Sequence, residues 1–381
     1  MTSKTIISCE HSRKKALFII FLFFAGEAFA QGFVEKDVSL RHKDAQGREV
    51  VLAGTLTTPE GRAPRGGWPA MVLITGSGSQ NRDEELLGHK PFEVIAHYMA
   101  QQGVATLRCD DRGVGGSTGV YDDVTPFDFA ADIEAEWQYL AHARHINSQR
   151  TGLLGHSEGG MLALLEAAEN REVAFVVMLA GPGLTMRQTL LEQNMAIFLQ
   201  RGVADSLVSR RLACMRDLFA ATDSVVALRA AHPEDSSDRV KQLNLVFRPI
   251  IRRHAAGLNK EQKQLIGLTT QECYGWALTM ASPYMQAMLN LDPADYIARL
   301  GCPLCAFNGD KDCQVNAGIN LPRIEEVCDQ HDITCCTTTF IQMNHLFQKC
   351  STGAVEEYQS LGQSPDNLVL ERLSAWLEKI L

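Results

Sequence analysis

The most constraining feature of the sequence is the stretch 153–160, which reads LLGHSEGG. An apolar run precedes its Gly-x-Ser-x-Gly pattern and an alanine- and leucine-rich segment follows, which predicts a buried strand, a sharp turn and a helix. Such a turn holds its serine, here Ser157, in a strained backbone conformation that exposes the hydroxyl. Gly155, Gly159 and Gly160 fit where strand and helix approach closely, because they have no Cβ to collide. A plain glycine turn is the alternative, since the pattern also arises by chance.

The bulk composition is that of an ordinary globular protein, with 45% hydrophobic and 21% charged residues among 381. This length is ample for a large core, and one sizeable domain with an insertion fits it better than two independent domains. The net charge of −9 offers no basic surface to a polyanion, so we expect no nucleic-acid partner.

The first thirty residues have the pattern of a targeting segment. Three basic residues at 13–15 precede an apolar run at 16–24, and a small-x-small sequence follows at 28–30. This order predicts a secretory signal peptide over residues 1–30, cleaved after Ala30. An uncleaved anchor is the alternative, although the apolar run is short for a membrane span. We therefore expect a secreted or periplasmic protein with no stable membrane association after cleavage.

Cysteine is unusually frequent, with eleven residues, seven of them between Cys302 and Cys350. Export would permit disulfides, yet several of these thiols stand in apolar strand patterns, where thiols pack as small hydrophobic groups. We expect mostly free, buried thiols; one or two bridges are left open, and the sequence does not determine their pairing. The Cys-x-x-Cys pair Cys302 and Cys305 opens a strand, not a helix, which argues against a redox or zinc site.

Strand and helix patterns alternate along most of the chain. Residues 34–41 and 50–57 predict a β-hairpin at the antiparallel edge of a sheet. Further strands are predicted at 70–74, 104–107, 151–154, 173–179, 303–307 and 333–341, and helices at 91–102, 126–143, 321–330 and after 364–366. This alternation is typical of a mostly parallel central sheet with helices on both faces.

Residues 184–295 interrupt this alternation. Helical spacing dominates there, with helices predicted at 188–200, 206–221, 223–231 and 238–254. We interpret the segment as an inserted α-helical cap, with a separate helical domain as the alternative. The predicted organisation is a signal peptide (1–30), a core (31–183), a cap (184–295) and the rest of the core (296–381).

Three side chains suited to nucleophilic catalysis follow predicted strands in the order Ser157, Asp312, His345. The carboxyl ends of parallel strands meet at one edge of a sheet. A serine hydroxyl becomes a good nucleophile when a histidine takes its proton, and a carboxylate orients that histidine. Asp310 is the alternative acid, but Asp312 lies further into the loop, and we expect Asp310 to cap the turn. For His345 the alternative is an ordinary loop histidine.

Two backbone N–H groups are expected to stabilise the oxyanion, those of Ser77 and Glu158. Glu158 follows the nucleophile at a helix N-terminus, where the helix dipole adds positive potential. The glycine turn 76–78 could instead cradle a phosphate, but it lacks the lysine of a P-loop and the helix of a dinucleotide site.

Several short motifs occur together over nearly the whole chain after the predicted cleavage site. They are Gly76-Ser77-Gly78 with Arg82-Asp83-Glu84, DRGxGxS at 111–117, GHSEGG at 155–160, Ser282-Pro283-Tyr284, NGxxDxQV at 308–315, NHLFQ at 344–348 and Glu357-Tyr358. The set resembles bacterial α/β-hydrolase carboxylesterases of the serine aminopeptidase (S33) type. The resemblance implies an α/β-hydrolase fold with a cap, no cofactor, esterase activity on short acyl esters, and Ser157, Asp312 and His345 as the triad.

The sequence departs from this pattern at Thr75, where many relatives have histidine, and at Cys313, which is unusual. We expect Arg82-Asp83 and Asp111-Arg112 to form ion pairs that fix loops, with a role as substrate ligands as the alternative. The predicted function is an exported serine carboxylesterase acting on a small-molecule ester. A serine peptidase with the same triad and a non-catalytic binding protein are the alternatives. The sequence leaves a homodimer open.

Overall fold

The structure is a computed structural model that describes residues 32–121, 124–232 and 237–381. The predicted signal peptide lies outside the described residues. Within them, no helix is long and apolar enough to cross a membrane.

One eight-stranded sheet forms the centre of the fold, in the order β1-β2-β4-β3-β5-β6-β7-β8. Its strands are β1 (Phe33–Lys43), β2 (Glu49–Pro59), β3 (Trp68–Ile74), β4 (Ala105–Cys109), β5 (Ile146–His156), β6 (Val176–Leu179), β7 (Leu304–Gly309) and β8 (Cys335–Phe340). β1 and β2 are antiparallel at the edge, as predicted, and β2 is antiparallel to β4. All other pairs are parallel, so the catalytic candidates that follow β3, β5, β7 and β8 lie at one edge.

Helices cover both faces of this sheet. Those of the core are α1 (Pro91–Gln101), α2 (Pro126–Ala141), α3 (Glu158–Glu169), α10 (Pro293–Ile297), α11 (Ala317–Gln330) and α12 (Asn367–Ile380). The apolar run of β3 is buried along its whole length because helices cover both of its faces. Val72 packs in one hydrophobic cluster with α2, α3 and α11, and its neighbour Met71 packs in another with α1 and α12. A strand covered on both faces needs apolar residues at every position.

The insertion is helical throughout its described residues. Its helices are α4 (Met186–Gln200), α5 (Asp205–Ala231), α6 (Arg239–Ala255), α7 (Lys260–Leu265), α8 (Thr270–Ala281) and α9 (Pro283–Met288). They pack around a third hydrophobic cluster, which includes Met215, Phe219 and Phe247.

The prediction of two helices at 206–221 and 223–231 was wrong, since α5 is one helix of 27 residues. Asp223 resembles a helix N-cap in the sequence, but its carboxylate pairs with Arg187 of α4. Thr222 is buried within the helix and donates to the Leu218 carbonyl at 2.9 Å. Helices α7, α8 and α9 were not predicted.

Candidate active site

Ser157 lies at the sharp turn between β5 and α3, with a φ of 53° and a ψ of −121°. A positive φ is costly for a residue with a Cβ, and the surrounding contacts hold it. A Cβ at Gly155 would lie 2.0 Å from the Gly159 carbonyl oxygen, and one at Gly159 would lie 2.3 Å from that of Ile74. The turn therefore requires glycine at both positions, for the steric reason predicted from the sequence.

His345 follows β8 and meets Asp312, which follows β7. The His345 Nδ1 lies 2.7 Å from the Asp312 Oδ2, and both side chains are buried. The other oxygen of Asp312 accepts the backbone N–H groups of Gln314 at 2.7 Å and Val315 at 2.9 Å. These bonds fix the carboxylate, so it can hold one tautomer and one orientation of the imidazole.

Asp310, the alternative acid, is engaged elsewhere. Its Oδ1 accepts the Gln342 N–H at 2.6 Å, which ties the turn after β7 to the end of β8. This contact matches the turn-capping role expected for Asp310.

Ser157 and His345 line the same cavity, whose volume is about 480 Å³. Among the described residues, no hydrogen bond joins the Ser157 hydroxyl to the His345 ring. Such bonds are often loose without substrate and tighten when it binds. The structure thus brings the three predicted catalytic residues to one edge of the sheet, with the Asp312–His345 contact already formed.

The loop after β3 passes beside the nucleophile, since a Cβ at Gly76 would lie 3.3 Å from the Ser157 Cβ. The Gly76 N–H is already used, because it donates to the Glu84 Oε1 at 2.6 Å. By contrast, the backbone N–H groups of Ser77 and Glu158 have no hydrogen-bond partner among the described residues. Both residues line the cavity that Ser157 also lines, so their N–H groups stay the predicted oxyanion donors.

The side chain of Glu158 joins the cap to this loop, a contact that the sequence did not predict. Its Oε2 accepts the Ser77 hydroxyl at 3.1 Å, and its Oε1 accepts the hydroxyl of Tyr284 in α9. Burial raises the pKa of Glu158, against the effect of the two hydroxyl donors. The only sequence signal was the Ser282-Pro283-Tyr284 motif, to which no role was assigned.

His156 and Glu84 form a second contact that the sequence did not predict. The His156 Nδ1 lies 2.9 Å from the Glu84 Oε1, and its Nε2 lies 3.1 Å from the carbonyl oxygen of His345. Burial opposes a charge on His156, but the Glu84 carboxylate, the His345 carbonyl and Asp312 together raise the pKa of His156.

The loop-fixing ion pairs exist, although the partners are not sequence neighbours. Arg82 pairs with Asp110 at 2.8 Å, and Arg112 pairs with Asp132 at 2.6 Å. These two ion pairs hold the loops around the site, and none of their four residues lines the cavity shared by Ser157 and His345.

Thr75 takes a supporting role in the loop after β3. Its hydroxyl donates to the Asp111 Oδ1 at 2.8 Å, and the Asp111 Oδ2 accepts the Gln80 N–H at 2.8 Å. Burial raises the pKa of Asp111 to about 7. Thr75 thus anchors the loop that carries Ser77.

The cavity walls are mostly apolar. Met186 and Leu190 of α4 and Met285 and Met288 of α9 line the side formed by the insertion, and neither lysine nor arginine is among the described lining residues. No described cluster of three or more His, Cys, Asp or Glu could hold a metal ion. All ten described cysteines are free, and seven of them are buried.

Two sequence comparisons identify relatives. The family model for serine aminopeptidase, S33, matches residues 90–242, which include Ser157. Esterase EstD of Thermotoga maritima is 29% identical over 167 residues. The chain has the α/β-hydrolase fold. The match to EstD covers 43% of this chain and 36% of EstD, so the chain aligns with about a third of the length of that relative.

Solved structures agree with this fold. A hypothetical protein from Pseudomonas aeruginosa is 14% identical, with a TM-score of 0.52 over 93% of this chain and 96% of that chain. The α/β hydrolase GrgF from a Penicillium species is 14% identical, with a TM-score of 0.50 over 91% of this chain and 98% of that chain. At such identities the likeness concerns the fold alone.

Proposed function

We propose that this protein is a serine carboxylesterase that is exported and cleaves short acyl esters through an acyl-enzyme. The observation that carries the proposal is the buried contact between His345 and Asp312, beside a cavity into which Ser157 is presented by a strained turn. The match to Esterase EstD favours an ester over other acyl substrates. Export rests on the sequence pattern of residues 1–30.

In the proposed reaction, the free Nε2 of His345 takes the proton of Ser157 as its Oγ attacks the ester carbonyl. The carbonyl electron pair moves to oxygen, which accepts the N–H groups of Ser77 and Glu158. When the tetrahedral intermediate collapses, the alcohol leaves with the proton from His345, and Asp312 stabilises the imidazolium in between. Water then attacks the acyl-enzyme in the same way and releases the acid.

The cavity favours an uncharged acyl group. Its methionine side chains are flexible and adapt to different apolar shapes. A substrate with a free carboxylate or phosphate would find no lysine or arginine among the described lining residues to balance its charge.

The decisive experiment replaces Ser157 with alanine in the protein from residue 31 onward and measures hydrolysis of p-nitrophenyl acetate and butyrate. We expect turnover to fall to the buffer rate, and a fluorophosphonate probe to label the unaltered protein at Ser157. Ser224→Ala, at an exposed position of α5, is the matched control and should keep full activity. Turnover that persists in Ser157→Ala at an unchanged melting temperature would refute the proposed nucleophile.

An aminopeptidase is the second candidate, and one observation favours it. Glu158 places a carboxyl group in the cavity next to the nucleophile, where it could bind a free α-amine. The test compares free and N-acetylated aminoacyl p-nitroanilides with p-nitrophenyl acyl esters. Our proposal expects the esters to be cleaved far faster. Faster cleavage of the free aminoacyl anilides, with the preference lost in Glu158→Gln, would establish the peptidase instead.

A further inference from the structure

Both ring nitrogens of His156 face hydrogen-bond acceptors. The His156 Nδ1 faces the Glu84 Oε1 at 2.9 Å, and its Nε2 faces the His345 carbonyl oxygen at 3.1 Å. The Glu84 Oε1 already accepts the Gly76 N–H at 2.6 Å, so it acts as an acceptor there. A neutral imidazole has one N–H and leaves one of these acceptors facing a lone pair. Only the imidazolium, with two N–H groups, satisfies both.

Glu84 needs a positive partner for an independent reason. It is buried, and its Oε2 has no hydrogen-bond partner among the described residues. A buried carboxylate without compensation is strongly unfavourable, and of the described residues His156 supplies the ion-pair contact. Glu84 also has a φ of 51°, a conformation that persists only where contacts hold it.

The other ionisable groups around His156 act in both directions. Asp312, across the site, favours the charge on His156. The His345 ring lies 4.9 Å away between centroids, so its protonation opposes that charge. Asp111 interacts with Glu84 from the loop after β4. The direct contact with Glu84 is the closest of these interactions.

We propose that His156 is an imidazolium that, together with Glu84, positions the reacting groups of this site. The inference rests on the proposed function and deepens it. The pair joins three loops. Glu84 holds the Gly76 amide beside Ser77, His156 precedes the nucleophile, and the His156 Nε2–H holds the main chain of His345. His156 therefore acts through Ser77 and His345, as a positioning residue.

The kinetic test uses His156→Gln, which keeps a donor but cannot carry the charge. We expect kcat to fall roughly 10- to 100-fold with KM little changed, because small displacements of reacting groups have effects of that size. His142→Gln, at an exposed helix end, is the matched control and should behave like the unaltered protein. An unchanged kcat in His156→Gln would overturn the proposal.

The pH dependence separates positioning from a merely structural role. The raised pKa of His156 means that the charged pair is intact at low pH and is lost as the pH rises through that pKa. The alkaline limb of kcat should disappear in His156→Gln. In Glu84→Gln the alkaline limb of kcat should move to lower pH, because the carboxylate that stabilises the charge of His156 is removed. An alkaline limb that is identical in all three proteins would refute the role of the charge.

A third measurement does not depend on activity. Nitrogen-15 NMR of histidine-labelled Ser157→Ala reports the protonation of His156. The signals of His156 are assigned as those that are lost in the double variant that also carries His156→Gln. At a pH of about 6.5, the ordinary pKa of histidine, we expect more than half of His156 to carry both protons. A neutral His156 would overturn this inference, whereas an inactive wild type with a charged His156 would count against the proposed function alone.

Discussion

Replacing Tyr284 with phenylalanine removes the hydroxyl by which the cap reaches Glu158. The Oε1 of Glu158 then loses its only donor among the described residues. Leaving one partner of a buried hydrogen bond unsatisfied costs about 1–3 kcal/mol. Both side chains are only partly buried, so we expect a destabilisation in the lower half of this range, about 1–2 kcal/mol. The melting temperature should fall by roughly 1–4 °C.

The size of this effect should depend on pH. Because the pKa of Glu158 is raised, its folded state keeps a proton that the unfolded state has released, so stability falls as the pH rises above the unfolded pKa. Losing the Tyr284 donor raises that pKa further, since the hydroxyl stabilises the ionised form. The difference in melting temperature between Tyr284→Phe and the unaltered protein should therefore be larger at pH 8 than at pH 5.

The assay is thermal unfolding at both pH values, with kcat measured in parallel. Tyr274→Phe is the matched control, since Tyr274 lies in α8 of the same cap and is 54% exposed. We expect kcat to fall in Tyr284→Phe, because Glu158 also holds the Ser77 hydroxyl. If Tyr284→Phe matches Tyr274→Phe in stability and in kcat at both pH values, the proposed link between cap and oxyanion loop is wrong.

Two further predictions concern packing and thiol chemistry. Gly155→Ala places a Cβ 2.0 Å from a backbone oxygen and should lower the free energy of unfolding by roughly 3 kcal/mol or more. Gly275→Ala adds its Cβ in open space on a helix and should raise the free energy of unfolding by up to about 1 kcal/mol. Urea unfolding of the two variants measures both effects, and equal effects would contradict the steric argument. Cys336 should be the first thiol alkylated by iodoacetamide at pH 7, because a hydrogen bond from Cys305, together with Arg372 nearby, lowers the pKa of Cys336 to about 6. Peptide mapping after limited alkylation checks this, and prior labelling of another cysteine would contradict it.

The sheet and the nucleophile turn were predictable because their signals are local. β3 is a continuous apolar run with both faces covered, and the glycines of the turn at Ser157 all lie within six residues. The choice of Asp312 over Asp310 also followed from position along one loop. The assignment of all three catalytic residues stays a prediction until activity is measured.

The contacts that join separate loops could not be predicted in this way. Glu84 and His156 are 72 residues apart, and Tyr284 and Glu158 are 126 apart. No periodicity or spacing links positions so distant. Glu84 meets His156 because the chain segments after β3 and at the end of β5 converge at one edge of the sheet, whereas Tyr284 reaches Glu158 from the inserted cap. Both contacts become visible only when the arrangement of the elements is known. In the cap, α7 spans only six residues and is too short for an apolar period to develop.

The separate apolar cluster of the insertion has a consequence for how a protein of this fold can diversify. Residues of this cluster, such as Phe219 and Phe247, belong to neither of the two clusters that flank the sheet. Substitutions inside the cap can therefore accumulate without disturbing the packing of the sheet and its helices. Under the proposed function, evolution can change the acyl groups that are accepted by altering the cap, as long as the Tyr284 contact with Glu158 is kept.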